Sequence, residues 1–506
     1  MFRNWINTLI SKASNFISWR LEPGDRELLE KEIARWKNSP QRIMQIKGFL
    51  YYGNEHDILK HKRTMIGENG ELEVVENLPN NHVIDNQYAK MVNQKANYLF
   101  GNPFSVKTQN ARYGELLKQA FDKQFMRILK NSGKAAYNGG IAWLYPYYTD
   151  AGELSFRLFP AYEVLPFWAD SEHSVLKSAV RLYLAVEYEG TTPVTIEKVE
   201  VYGLDGVNRF VLDGETLVPD VDKEGKSDYC YAVGTDSDGN PLESNWERIP
   251  LIPLKCNEDE MPLLKKVKSL QDGINIMLSD FENNMQQDAR NTILVLKNYD
   301  GEDLGEFRKN LSTYGAVKVR YDDSAKGGVE TLEIKVDADN YKVIVEIFKK
   351  ALIENAMGYD AKDDRLSGNP NQMNIQSMYS DIDIDANDME TEYQAAFEEI
   401  LWFINAHLAN MGCGNFEGEK VDIIFNRDIL MNESESIINC QNSVGILSDE
   451  TIIAKHPYVD DPQEEMERIK RQRQKEKEEL EKQYDPFDPE KKDRVGNSQD
   501  GDQDEE

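Results

Sequence analysis

Between Pro262 and Met411 the apolar positions fall into helical repeats long enough to organise the rest of the chain. Leu263, Val267, Leu270, Ile274, Met277 and Phe281 step by fours and threes, the spacing of a narrow stripe that faces one or two partner helices. A second helix, predicted from Ala338 to Met357, carries Tyr341, Ile344, Val345, Phe348, Leu352 and Ala356 on one side and could supply that partner. Between the two, Thr292 to Lys297, Ala316 to Arg320 and Thr331 to Val336 read as short strands, with a helix from Glu302 to Leu311. The pattern is a small β-α-β-β module on a helical stalk. A polar, glycine-bearing loop, Tyr359 to Asn371, then leads to a third helix, Met373 to Asn410, with Ile382, Met389, Tyr393, Phe397, Ile400, Ile404 and Leu408 along one face.

Upstream, Asp25 is an N-cap candidate for a helix reaching Lys37. Val83 to Leu99 places Ile84, Tyr88, Met91, Lys95 and Tyr98 on one helical face, and Gly101-Asn102-Pro103 supplies the stop. A helix from Tyr113 to Ser132 follows. From Ile141 the period changes to two: Ile141 to Tyr148, Leu154 to Phe159, Ser178 to Tyr188, Thr195 to Tyr202 and Asn208 to Leu212 predict an antiparallel β region. The prolines of Ile249-Pro250-Leu251-Ile252-Pro253 exclude a central strand there and mark a boundary before the stalk. Val421 to Phe425 reads as one more strand, Ser434 to Leu447 and Thr451 to Ala454 as short helices, and Asp461 to Lys482 as a charged helix. The acidic end from Tyr484 is too poor in apolar residues to pack.

A chain of 506 residues, 40% of them apolar, predicts several domains with cores of their own. Lysine and arginine number 59 against 90 acidic residues, a net charge of −31, so the summed field repels a phosphate backbone and disfavours a tight generic grip on nucleic acid. Cys230, Cys256, Cys413 and Cys440 are far apart with no CxxC spacing, which fits buried thiols in a reducing compartment. No apolar run reaches membrane-spanning length. Phe2, Trp5, Ile6, Leu9, Ala13, Phe16 and Ile17 form one face of an amphipathic N-terminal helix, which fits docking on its own protein or a neighbouring subunit better than a membrane-surface anchor.

Motifs of chemistry are few. GxxxxGK[ST], HExxH and GxSxG are all missing, so a nucleotide motor, zinc hydrolase or serine hydrolase lacks its central residues. Asp381, Asp383, Asp385 and Glu392 mimic a calcium loop, but Ala386 replaces the glycine of its turn and the surrounding spacing is helical. Asp236, Asp238 and Asn240 read as a polar hairpin turn, and His56 and His82 as hydrogen-bonded structural histidines. No metal site or cofactor is expected. The alternative, a magnesium-dependent nucleic-acid-processing enzyme, would draw on Asp360, Asp363 and Asp364.

Tyr51 to Ile58, the run Asn93-Gln94-Lys95-Ala96-Asn97-Tyr98-Leu99-Phe100-Gly101-Asn102-Pro103, Gly368-Asn369, and Ser448-Asp449-Glu450-Thr451 followed by His456-Pro457-Tyr458-Val459-Asp460-Asp461-Pro462 come in an order that resembles the portal proteins of tailed bacteriophages, the head-to-tail connectors. Asn371-Gln372 depart from the Ser-Gly more frequent in that family. The resemblance implies an α+β, portal-like ring subunit: a mixed α/β wing over 26–256 completed by 420–432, stem helices over 257–290 and 338–358, a small α/β clip over 291–337, a tunnel loop over 359–371, a long helix over 372–411 and a helical crown over 433–484. The N-terminal helix, 1–25, and a disordered acidic tail, 485–506, lie outside it.

It further implies a non-enzymatic homo-oligomer, usually a dodecamer, at one vertex of the capsid. Double-stranded DNA would pass through its channel in packaging and ejection. The terminase large subunit, scaffolding and major capsid proteins and a head-completion adaptor would be its partners, in the virion and, during assembly, the host cytoplasm. In the loop, Lys362 and Arg365 become candidates for light phosphate contact beside Asp363 and Asp364, with Gly368 supplying freedom of movement, against the plainer reading of a solvated loop. Lys265, Lys266 and Lys268 either face the channel or form an outer solvated face.

Overall fold

The structure is a computed structural model that describes residues 23–66, 70–74, 78–149, 151–204, 206–220, 226–227, 231–235, 241–244, 246–288, 292–297, 321–322, 325–326, 328–333, 338–360, 372–427, 433–459 and 462–483. The expected N-terminal helix, the turn at Asp236 to Asn240, the strand at 316–320, the helix at 302–311, the loop residues Lys362, Asp363, Asp364, Arg365 and Gly368, and the acidic tail lie outside these residues. The chain divides into two compact units, Met1–Asp360 with Tyr379–Asp428, and Ala361–Met378 with Ile429–Glu506.

In the first unit, helices and antiparallel strands build an α+β body. Helix Pro23–Lys37 starts two residues before Asp25, which sits in the first turn, where its charge suits the helix dipole, and not at the cap. Helix Pro40–Tyr52 follows at once, with Ser39 accepting from Arg42 N and Pro40 at the first position. The stretch expected to be helical from Val83 stays extended until Asn86, whose side chain accepts from Ala89 N and so starts helix Gln87–Phe100. The single helix expected over Tyr113 to Ser132 is two, Ala111–Ala120 and Lys123–Gly139, because Asp122 takes an extended conformation and caps the second by accepting from Phe125 N.

Among the described residues the β region forms two larger sheets and a separate hairpin, Tyr231–Thr235 with Pro241–Ser244. Ile141–Tyr148 is the centre of a three-stranded sheet, flanked by Leu154–Pro160 and Ile252–Lys255; Pro253 lies on an edge strand, and Pro146 of the central strand lies beyond the residues, Ile141 to Leu144, that pair with that edge. Val164–Trp168, Leu176–Glu189, Thr192–Gly203, Gly206–Asp213 and Thr216–Pro219 run as an up-and-down meander. One face of the meander, through Val180, Leu182, Val199 and Val201, buries Leu29, Ile33 and Trp36 of the first helix in a small separate core. The main core joins the two stalk helices, the long helix and the three-stranded sheet. Val421–Ile424 returns to pair antiparallel with Ser105–Thr108.

The stalk consists of helices Leu263–Asp288 and Ala338–Asn355, and beyond its first helix Thr292–Lys297 pairs antiparallel with Gly328–Glu333. Leu263, Val267 and Ile274 are fully buried and Leu270 packs against the main core, so the N-terminal half of the stripe belongs to the body. Gly273 lies so close to the Phe348 ring that a Cβ would stand 2.7 Å from it, and the Phe281 and Tyr341 rings are 5.2 Å apart; these contacts join the two stalk helices. Met277 is half-buried. Ile344, expected on the covered side of the second helix, is exposed together with Val343 and Ile347.

In the second unit, helix Asp449–Ala454 is capped by Ser448, which accepts from Thr451 N, and Cys440 of helix Glu433–Asn442 is buried with its thiol 3.8 Å from Ile452 O. Arg473 of helix Pro462–Gln483 pairs with Asp449 at 3.5 Å.

Candidate functional site: the loop base and the stalk ladder

The first stalk helix has a second stripe, which is polar and buried. Gln271, Asn275, Ser279 and Asn283 recur every four residues at 0%, 0%, 3% and 4% exposure. They hold the extended segment before helix Gln87–Phe100. Asn283 Oδ1 accepts from Asn81 N at 2.7 Å, Ser279 Oγ from Val83 N at 2.9 Å, Asn275 Oδ1 from Asp85 N at 3.2 Å and Gln271 Oε1 from Tyr88 N at 2.9 Å, while Gln271 Nε2 donates to Asp85 O at 2.8 Å. For the first three rungs the register works because four helical residues rise about 6.0 Å and two extended residues about 6.6 Å, so the N–H groups of Asn81, Val83 and Asp85 meet every fourth helix side chain; the fourth, Tyr88 N, follows three residues on, in the first turn of helix Gln87–Phe100.

His56 completes the ladder. Asn275 Nδ2 donates to its Nδ1 at 2.8 Å, which leaves Nε2 as the N–H that donates to Tyr51 O at 2.9 Å. Burial lowers its pKa, in keeping with this neutral tautomer. His82, by contrast, is exposed, with Nε2 at 2.9 Å from His61 O. Of the stalk lysines, Lys265 and Lys266 are exposed, but Lys268 is consumed between Asp272 and Asp57, the latter at 2.7 Å, beside Lys47 at 2.8 Å from Asp57. Burial would raise the Asp57 carboxyl's pKa, but the two lysines outweigh it and hold it well below the usual carboxylate range.

The second stalk helix ends with backbone bonds from Met357 N to Glu354 O and from Gly358 N to Ile353 O, a Schellman motif in which Met357, at φ 52°, takes the left-handed place usual for glycine. Gly358 has no room for a side chain: a Cβ would stand 2.7 Å from Met91 Sδ and 3.0 Å from Gln94 Oε1. The carbonyls left over at this helix end point to a cation. Lys95 Nζ donates to Ala356 O at 2.5 Å and reaches Met357 O at 3.4 Å, where the helix dipole also favours positive charge.

The same ammonium pairs with Asp385 of the long helix at 2.8 Å, with the lysine side chain at 0% exposure and the aspartate at 12%. Tyr137 OH donates to the other Asp385 oxygen at 2.6 Å. Burial pulls the Lys95 pKa down, against the raising pull of Asp385.

One residue earlier, Gln94 grips the chain beyond the helix: its Nε2 donates to Tyr359 O at 2.8 Å and its Oε1 accepts from Tyr359 N at 3.1 Å. The far side of the excursion returns to this place. The Tyr359 and Tyr379 rings lie 4.5 Å apart, and Tyr98, whose hydroxyl donates to Asp383, stacks on Tyr379 at 5.7 Å. Asp383 is also held by Arg427 at 3.1 Å, so Asp383 and Asp385 of the calcium-like run are both occupied by protein partners on a continuous helix.

The described structure therefore brings Tyr359, just before the 361–371 loop, and Tyr379, on the long helix, to one clamp on helix Gln87–Phe100. It shows Asp360, of the alternative enzymatic set, as an exposed residue at the loop's start. Lys95 could be noticed in the sequence as a lysine on an apolar face. Gln94 carries no such signal, and the ladder residues become legible only once the strap is placed against them.

The described residues of the first unit form an α+β body with a two-helix stalk, and a strand-bearing insert lies in sequence between the two stalk helices. The chain belongs to the phage portal proteins of the SPP1 Gp6-like family, whose profile matches residues 29–479. It is 29% identical over 478 residues to the portal protein of Bacillus phage SPP1, covering 92% of this chain and 89% of that one. Against the portal protein of Clostridium phage phiCD119 it is 26% identical over 451 residues, with coverages of 87% and 93%. A chain from the virion of a native gene transfer agent particle superposes at a TM-score of 0.37 and 9% identity, over 72% of this chain and 86% of the other.

Proposed function

We propose that copies of this chain close into a ring, with twelve subunits as the expected number, at the portal vertex of a tailed-phage capsid, and that double-stranded DNA passes through the ring in packaging and ejection. The observation that carries the reading, beside family membership, is apolar surface that a lone subunit leaves uncovered. Ile276 and Met285 of the first stalk helix and Val343 and Ile347 of the second are 42%, 53%, 53% and 57% exposed in a chain of net charge −31. Beyond the end of the first helix, the meander's long hairpin likewise exposes Leu184, Val186 and Tyr188 on the face that is buried nearer its base. Such surface is characteristic of interfaces, and head-to-tail contacts between copies close into rings when the rotation allows.

An acidic subunit suits a passage in which strong phosphate contacts would hold the polymer at each step. Within this reading, Lys362 and Arg365 make light, renewable contacts. The terminase large subunit supplies the energy and docks at the insert, and head-completion and tail proteins follow it there. Scaffolding and major capsid proteins would meet the outer body. The assembled protein would reside in the virion, after assembly in the host cytoplasm.

Negative-stain imaging of the purified protein tests the ring directly, with rotational symmetry expected. Ile276→Asp combined with Ile347→Asp is expected to shift light-scattering mass to single subunits without changing the circular-dichroism spectrum. Solitary particles under every assembly condition, or rings unaffected by both charges, would overturn the reading.

A further inference from the structure

We propose that Gln94 is a positioning residue: its carboxamide sets the direction in which the chain leaves the second stalk helix toward residue 361. The geometry is that of a sheet pair made by one side chain. Both hydrogen bonds of the carboxamide land on the N–H and C=O of a single residue, Tyr359, at 3.1 and 2.8 Å, as the two bonds of an antiparallel pair land on one residue. The N–H and C=O of Tyr359 belong to the peptide planes on either side of its Cα, so holding both fixes the direction of the chain through that residue. The neighbouring contacts fix where that segment starts, since Lys95 holds Ala356 O and Gly358 fits against Met91 and Gln94 with no space for a side chain.

Gln94 differs from Lys95 in being half-buried, with no buried charge to strand when it is replaced. It governs the exit of the chain while the helix ends below it keep their own bonds. Its consequence for DNA passage rests on the ring-and-channel reading; its hold on the chain does not.

The test uses the full chain with Gln94→Met, which keeps length and removes both hydrogen bonds, and Gln94→Glu, which keeps the acceptor and turns a carboxylate oxygen toward Tyr359 O. Limited trypsin digestion reports cleavage after Lys362 and Arg365, normalised in the same digest to cleavage after the exposed Lys265 and Lys266. DNA packaging and retention are measured in parallel. Normalised loop cleavage is expected to rise several-fold in Gln94→Met and further in Gln94→Glu, with melting temperature and particle mass unchanged. Normalised cleavage within twofold of the unaltered protein in both variants would overturn the proposal, as would a rise equalled at Lys265 and Lys266. Faster loop cleavage with normal packaging would uphold the positioning role and remove the loop from the channel reading.

Discussion

Replacing Lys95 by Met isolates the most heavily committed side chain of the loop base. The ammonium is fully buried and touches Asp385 Oδ1, Ala356 O and Met357 O, so a methionine of similar length fills the space while leaving a carboxylate and two carbonyls without their cation. Removing one partner of a buried pair costs about 3–5 kcal/mol, because the other charge stays desolvated; the Tyr137 hydroxyl, still donating to Asp385, offsets only part of it. With an unfolding entropy of about 2.1 cal/mol/K per residue over roughly 400 residues, a loss of about 4 kcal/mol lowers the melting temperature of the first unit by about 5 °C.

The decisive comparison adds Asp385→Asn. In the unaltered background this change strands Lys95 and destabilises; in the Lys95→Met background it removes the uncompensated charge and should recover about 1–3 kcal/mol. Differential scanning fluorimetry and urea titration of the four proteins give the coupling. A Lys95→Met protein that melts within about 1 °C of the parent, or a double variant no more stable than Lys95→Met, would refute the argument that the pair is a desolvated one.

Two further expectations follow from the stalk. Gln271→Leu leaves Tyr88 N–H and Asp85 C=O without partners inside the ladder, and should cost about 2–4 kcal/mol, with hydrogen exchange rising at residues 81–88 first; uniform exchange would argue against a local strap. Asp57 has its folded pKa held below its ordinary value of 3.8, so its contribution is present above that pH and is lost as the pH falls through the folded value. The difference in urea midpoint between the parent and Asp57→Asn should accordingly be constant near neutrality and shrink below about pH 3.8, and a difference that grows there would be the wrong sign.

What the sequence could show depended on whether a residue's role was local. The period-two runs from Ile141 to Leu212 and the period-3.6 runs of the stalk announce themselves, because burial of one face imposes the repeat on neighbours in sequence. Helix Pro40–Tyr52 went unread although Ser39-Pro40 is a start signal, since its aromatic and apolar residues lie on more than one side: Tyr51 is buried while Ile43 is exposed. Strand Ser105–Thr108 is only four residues long and exists because Val421–Ile424 reaches it from more than 300 positions away. Ile344 shows the opposite limit, a residue with the right spacing that a single subunit leaves in solvent.

The polar ladder and the Lys95 clamp share a physical logic that explains why such groups are buried at all. An apolar seam between the first stalk helix and residues 81–88 would tolerate sliding by a turn, since burial has no direction. The backbone N–H groups of Asn81, Val83, Asp85 and Tyr88, donating to Asn283, Ser279, Asn275 and Gln271, admit one register, because a displaced strap would leave those N–H groups unpaired in a dry place. Helix Gln87–Phe100 begins where that strap ends, and from it Gln94, Lys95 and Tyr98 reach the loop base and the long helix. The position of the loop base along the stalk is thus fixed by polar pairing at the N-terminal end of helix Gln87–Phe100 and passed on by polar pairing further along it, so shifting the ladder by one rung would move the clamp by about one turn.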